Sequence, residues 1–116
     1  MPNPERNTYQ PDHLLAGDFP IIKEPGVIAA GQVLTRGAVL GRLTASGEYQ
    51  LAASAATDGS QTPVAILDED IDTSAGPAPG VLMLTGEVRS DALHLGTGHT
   101  IGSVSEALRP LSLFVR

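Results

Sequence analysis

The amino-acid sequence predicts a mostly β fold with a short C-terminal helix and an extended N-terminal arm. Three observations carry this expectation. From Ile21 onward, short runs of Val, Leu, Ile and Ala recur, and each is cut off by Gly, Pro or a polar turn before a helical period can establish itself. Near the C-terminus, "SVSEAL" places Ser103 and Glu106 at the S-x-x-E spacing of a helix start, and Pro110 stops the helix after about two turns. Residues 1–20 hold Pro2, Pro4, Pro11 and Pro20 among polar residues, with no periodicity. Each Pro fixes φ, lacks an N–H and biases its predecessor away from helix.

The strands follow in order. "GVIAAGQVL" and "RGAVLGRLT" are β-type runs divided by Gly31 and Gly37. "SGEY" is a turn between strands expected over 38–44 and 48–52; in the second, Tyr49 and Leu51 share one face, Glu48 and Gln50 the other. "AASAATDGSQ" is a loop of small and turn-forming residues that ends at Asp58-Gly59. "TPVAIL" barely alternates, so a strand covered on both faces is expected there. "DEDIDTSAGPAPG" reads as an acidic, solvent-exposed loop. "VLMLTGEV" is the next strand, with a bulge or bend at Gly86, and "HLGTGHT" is a turn region. In the capping reading, Ser103 accepts from the backbone N–H three residues on and Glu106 reaches back. "LSLFVR" alternates Leu111, Leu113 and Val115 on one face as a final strand.

Composition bounds the function. The chain of 116 residues fits one domain, read as an arm over 1–20 and a body over 21–116. With 41% hydrophobic and 17% charged residues the body is expected to fold, and with only 3% aromatics its core must be aliphatic. A formal net charge of −6 argues against nucleic acid and anionic membranes as partners. No cysteine is present, which removes disulfides and thiol chemistry. No apolar run approaches a membrane span, and the first residues lack the basic and apolar regions of a signal peptide, so a soluble protein made in the cytoplasm is expected.

Motifs that would carry chemistry fail on inspection. Asp68, Asp70 and Asp72 alternate as at the start of a calcium loop, but Thr73 stands where the loop needs Gly and Pro79 where it needs Glu. His94 and His99 lack metalloprotease spacing; a zinc site would have to recruit Asp91 or Glu106, and His13 lies in the arm. "GQVLTRGAVLGRLTASGEYQLA" is glycine-rich with two arginines. Yet Lys23 is the sole lysine, so no phosphate loop is formed, and the run continues as strand where a dinucleotide fingerprint opens a helix. Its glycines are read as bends, and Arg36 and Arg42 as surface or intersubunit residues. No catalytic, metal or cofactor site is expected. The arm is different: Tyr9, Leu14, Leu15 and Phe19 are apolar, and with Pro20 they are the candidate partner-binding residues.

The ordered set "GQVLTRGAVLGRLTASGEYQLAASAATDGSQTPVAIL", "DEDIDTS" and "LTGEV" resembles the lambda-type head decoration proteins of tailed bacteriophages over roughly residues 20–116. The resemblance implies a β-clip-like, head-decoration-protein fold. It implies a homotrimer at threefold and quasi-threefold positions on the outside of the expanded capsid, which it cements against the pressure of packaged DNA. The partner would be the major capsid protein, to which the arm adds β-structure, with no cofactor, nucleic acid or membrane involved. Two other readings compete. Trimeric β-clip nucleotide pyrophosphatases need a nucleotide-gripping set of Asp, Tyr, Ser and Gly motifs that is not found here in order. A small β carrier or adaptor module needs a lysine at a hairpin tip, where this chain has "ASGE".

Overall fold

The computed structural model describes residues 20–116. The chain is mostly β with one short C-terminal α-helix. The strands are β1 (Ile22–Ile28), β2 (Val33–Leu34), β3 (Val39–Arg42), β4 (Tyr49–Leu51), β5 (Pro63–Leu67), β6 (Ile71–Asp72), β7 (Ala78–Val88) and β8 (Leu113–Val115), and the helix is α1 (Ile101–Leu108). Strands β1, β4, β3, β5 and β7 are neighbours in that order, and β1 pairs again with β7, which closes a five-stranded barrel. Closure removes the free sheet edges that a short open sheet would expose. Strand β8 runs parallel to the end of β7, with Leu113 opposite Gly86. Strands β2 and β6 form a separate two-stranded ribbon.

The alternation of side chains across β3, β5 and β7 divides the core in two. On one face, Val39 lies opposite Ile66 and Ile66 opposite Met83. These three pack with Val88, Ala92, Val104, Leu108 and Leu113, so the helix and β8 cover the outside of the barrel. On the other face, Leu40 lies opposite Ala65 and Leu67 opposite Leu82. With Ile28 and Ala38 these fill the interior. The expectation that "TPVAIL" is covered on both faces is met, because Ile66 points out under the helix while Ala65 and Leu67 point in. Each fully buried Leu, Ile or Val contributes roughly 1.5–3 kcal/mol of transfer free energy.

In the Gly31–Ala52 region, Gly31, Gly37 and Gly47 adopt positive φ at turns, as read, but Gly41 lies within β3 and is no bend. Gly41 is buried in mid-strand, and a Cβ there would run into the Ser60 backbone, which crosses directly over it. Gly37 adopts φ +103, and a Cβ would meet the Ala92 carbonyl. The strands 38–44 and 48–52 are shorter than expected. Leu43 N–H donates to Glu48 O and Gly47 N–H to Leu43 O, closing the turn, while Thr44 N–H is drawn away to Asp58 O.

Several expectations are corrected. The helix begins three residues earlier than the Ser103/Glu106 reading. Thr100 is the N-cap in extended conformation; its hydroxyl accepts from Ser103 N–H, and the Ser103 hydroxyl accepts from Thr100 N–H. This start places Val104 and Leu108 four apart on one buried face. The bulge in β7 falls at Leu84, between the Ile22–Thr85 and Lys23–Met83 pairs. Gly86 is the expected bend (φ +145), where β7 passes from β1 to β8. Leu111 is not part of the last strand. It sits exposed in the 3₁₀ turn Arg109–Leu111, and Ser112 in the left-handed region (φ 69) breaks the alternation before β8.

The acidic segment is only partly the solvent loop expected: Asp70 and Asp72 are exposed, but the segment includes a short strand and a buried acid. Ile71 and Asp72 form β6, and the Asp68 carboxylate is only 7% exposed, 2.6 Å from Lys23 Nζ and 3.0 Å from Arg36 Nε. Asp70 Oδ1 accepts from Arg36 N–H at 2.8 Å. The cations settle the matter, since a buried carboxylate is tolerated only when paired. Behind them, the fully buried Thr73 hydroxyl donates to Ala29 O at 2.6 Å and accepts from Gln32 N–H at 2.8 Å.

Candidate partner-binding surface

Of the candidate binding residues, Tyr9, Leu14, Leu15 and Phe19 lie outside the described residues, and Pro20 is the first one described. Pro20 is exposed, and its carbonyl accepts from Thr85 Oγ1 at 2.8 Å. The same hydroxyl accepts from Ile22 N–H at 3.1 Å. One side chain on β7 therefore clamps the backbone on both sides of Ile21. Position 85 is the place to do this because β1 and β7 close the barrel, with Ile22 opposite Thr85. The backbone from Pro20 to Ile22 is thus held at a fixed point on the barrel. Thr85 carries no signal in the linear sequence, since only barrel closure brings it to Pro20.

Ile21 is 37% exposed, Ile22 52% and Leu111 42%. Ile21 and Ser112, the residue after the Arg109–Leu111 turn, both approach Gly86. A Cβ at Gly86 would sit 3.3 Å from Ile21 Cγ1, and Gly86 N–H donates to Ser112 O at 3.0 Å.

Several of the polar residues singled out in the sequence bond to their own neighbours in the fold. His99 bridges the start of α1 to the loop before β5, with Nδ1 3.0 Å from Ser103 Oγ and Nε2 2.8 Å from Gln61 O. His94 lies on a backbone bridge to Ala38, its N–H donating to Gly37 O and its carbonyl accepting from Val39 N–H. Asp91 pairs with Arg89 at 3.2 Å, which raises the Arg89 pKa further. Asp58 is held below the ordinary carboxylate range, first by the Ser60 hydroxyl and then by the Ser60 backbone N–H. Asp72 is lowered in the same way by Ser74. Arg36, expected at the surface or between subunits, is partly exposed and bonds Asp68 through Nε. Among the described residues no group of three or more His, Asp or Glu could hold a metal ion. No described helix is long and apolar enough to cross a membrane.

Many of the conspicuous polar side chains among the described residues brace a closed β-barrel's own loops and strands. Comparison with protein families gives the class of protein to which this barrel belongs. The family model for bacteriophage lambda head decoration protein D matches residues 5–114, and the chain belongs to that family. It is a phage head decoration protein, a component of the virion capsid. The match includes the positions of Tyr9, Leu14, Leu15 and Phe19 as well as the barrel. No curated protein matches the chain at a significant level.

Proposed function

We propose that the protein cements the expanded phage head, binding its outer surface as homotrimers at threefold and quasi-threefold sites and stabilising it against packaged DNA. In this reading residues 1–20 are the capsid-binding arm and 21–116 the body that the arm tethers. The protein is made in the host cytoplasm and added to the particle from outside. The observation that carries the reading is the family match, which runs continuously from the arm into the barrel. The backbone fixed at Thr85 supports it, because an arm anchored at one end reaches a defined zone of a neighbouring surface.

The energetics fit. An extended segment of this length reaches up to about 65 Å. Ordering it costs about 1–2 kcal/mol per residue, so it must bury apolar area and add backbone hydrogen bonds on its partner, and Tyr9, Leu14, Leu15 and Phe19 supply the apolar area. Three arms on one trimer turn modest single-arm affinity into avidity. The net charge of −6 suits a protein that stays on the outside and never meets the packaged nucleic acid.

The test mixes the protein with expanded and unexpanded shells of the major capsid protein from the same phage and measures co-sedimentation. Binding restricted to expanded shells, lost on deleting residues 1–19, is expected. Equal binding to both shells would rule out the cementing role.

A further inference from the structure

Asp58–Gly59 is the one Asp-Gly pair in the chain, and no Asn-Gly pair occurs. Glycine has no side chain to shield its own amide nitrogen, which makes this dipeptide prone to isomerise. The Gly59 nitrogen attacks Cγ of Asp58 and forms an N–C bond; the carboxyl OH and the amide proton leave as water, giving a succinimide. Water then adds back, and ring opening at the original peptide carbonyl leaves the main chain running through Cγ as an isoaspartate. The fold cannot avoid the pair. Gly59 adopts φ +105, and a Cβ there would run into Thr44 Oγ1 and Arg42 O, so only glycine fits. Asp58 is needed as the acceptor of the turn, its Oδ1 taking the Ser60 N–H at 3.0 Å and the Ser60 hydroxyl at 2.6 Å.

Each group that this reaction uses is held in the folded chain. The N–H of the nucleophile donates to Gln61 Oε1 at 2.9 Å, and that bond must be given up before the nitrogen can lose its proton. The carbonyl of the same peptide, Asp58 O, accepts from Thr44 N–H at 2.9 Å. The peptide plane is thus pinned from both sides and kept from turning its nitrogen onto Cγ. The electrophile is fixed by Ser60, whose fully buried hydroxyl accepts in turn from Gln50 Nε2 at 3.0 Å. The Ser60 hydroxyl and then its N–H also keep the Asp58 carboxyl below the ordinary range. At neutral pH it is therefore the carboxylate, which has no OH ready to leave. We infer that Asp58–Gly59 is an isomerisation site that the folded chain keeps closed, with Gln61 as the residue that restrains its nucleophile. The closure matters to this architecture. An isoaspartate adds a backbone atom just before Ser60, where the chain crosses directly over Gly41.

The experiment ages the full-length chain at neutral pH, well below its melting temperature, beside a peptide of residues 55–63 that carries the same pair without the fold. Isoaspartate at position 58 is quantified by peptide mapping with electron-transfer fragmentation, which distinguishes it from aspartate of the same mass. The folded chain is expected to convert at least about tenfold more slowly than the peptide, the combined effect of these bonds on the open fraction of the loop. Gln61→Met keeps the length of the side chain but removes the acceptor, and should convert about two- to tenfold faster than the parent. Gln61→Glu keeps an acceptor oxygen and should stay close to the parent. Thr73→Val, weakened at a site away from this loop, is the control for unfolding at large. Conversion of the folded parent at the rate of the peptide overturns the inference, as does a peptide that does not convert. Equal rates in Gln61→Met and the parent, or equal acceleration by Gln61→Met and Gln61→Glu, overturn the role assigned to Gln61. So does an acceleration in Gln61→Met no greater than Thr73→Val shows for the same loss of melting temperature.

Discussion

Replacing Gly41 by Ala tests the claim that the glycine-rich stretch is built for close backbone packing. The added Cβ would overlap the Ser60 carbonyl group and Cα, atoms that cannot rotate out of the way as a side chain does. Loop 58–61 must lift, and it is tied down on several sides. Thr44 N–H donates to Asp58 O at 2.9 Å, Gln50 Nε2 donates to Ser60 Oγ at 3.0 Å, and Gln61 O meets His99 Nε2 at 2.8 Å. Overpacking of this kind costs about 1–3 kcal/mol, and each displaced hydrogen bond about 0.5–1.5 kcal/mol. Against this, the lower entropy of the unfolded Ala chain returns about 0.4–1 kcal/mol. The net expectation is a loss of about 2–4 kcal/mol, read in a thermal melt as a drop of roughly 10–20 °C. The matched control is Gly102→Ala in the first turn of α1. There the nearest atom to a Cβ is Thr100 Oγ1 at 3.8 Å, an ordinary contact, and the change should stabilise by up to about 1 kcal/mol. A Gly41→Ala protein that melts within a degree or two of the parent refutes the packing argument.

Thr73→Val keeps the shape but leaves Ala29 O and Gln32 N–H without the buried hydroxyl, so a loss of about 1–3 kcal/mol in urea unfolding is expected. Thr100→Ala should cost about 1 kcal/mol while Glu106→Ala is close to neutral; the reverse order would restore Ser103 and Glu106 as the cap. Asp58 has a folded pKa depressed by Ser60. Its contribution is therefore complete above the ordinary Asp value of about 3.9 and disappears as pH falls through the lower folded value. The Ser60 amide shift should titrate below that ordinary value and go flat in Asp58→Asn; titration at or above it contradicts the assigned bond.

Much of the barrel was legible because its signals are local. Runs between glycines gave the strands, and the weak alternation of "TPVAIL" announced a strand with helix on one side and barrel interior on the other. Signals that depend on distant partners were not legible. Thr100 and Ser103 are both acceptable caps three residues apart, and the burial of Val104 and Leu108 decided between them. Asp68 looked like one of three solvent acids until the fold brought Lys23 and Arg36 to it. Leu111 fitted an alternating strand, and only the left-handed Ser112 took it out. Thr85 was invisible for the same reason, since nothing near it in sequence refers to Pro20. The arm expected from composition, a Pro-rich segment that carries apolar residues, lies outside the described residues up to Pro20.

The central claim is that a tethered arm fixes this barrel to an expanded phage head. The most direct measurement is quantitative co-sedimentation of the full chain, and of the chain lacking residues 1–19, with expanded heads, with melting curves of both proteins alone. The account predicts that the full chain saturates the heads, whereas the shortened one melts as a folded protein and stays in the supernatant. A shortened protein that binds with the same affinity as the full chain would contradict it.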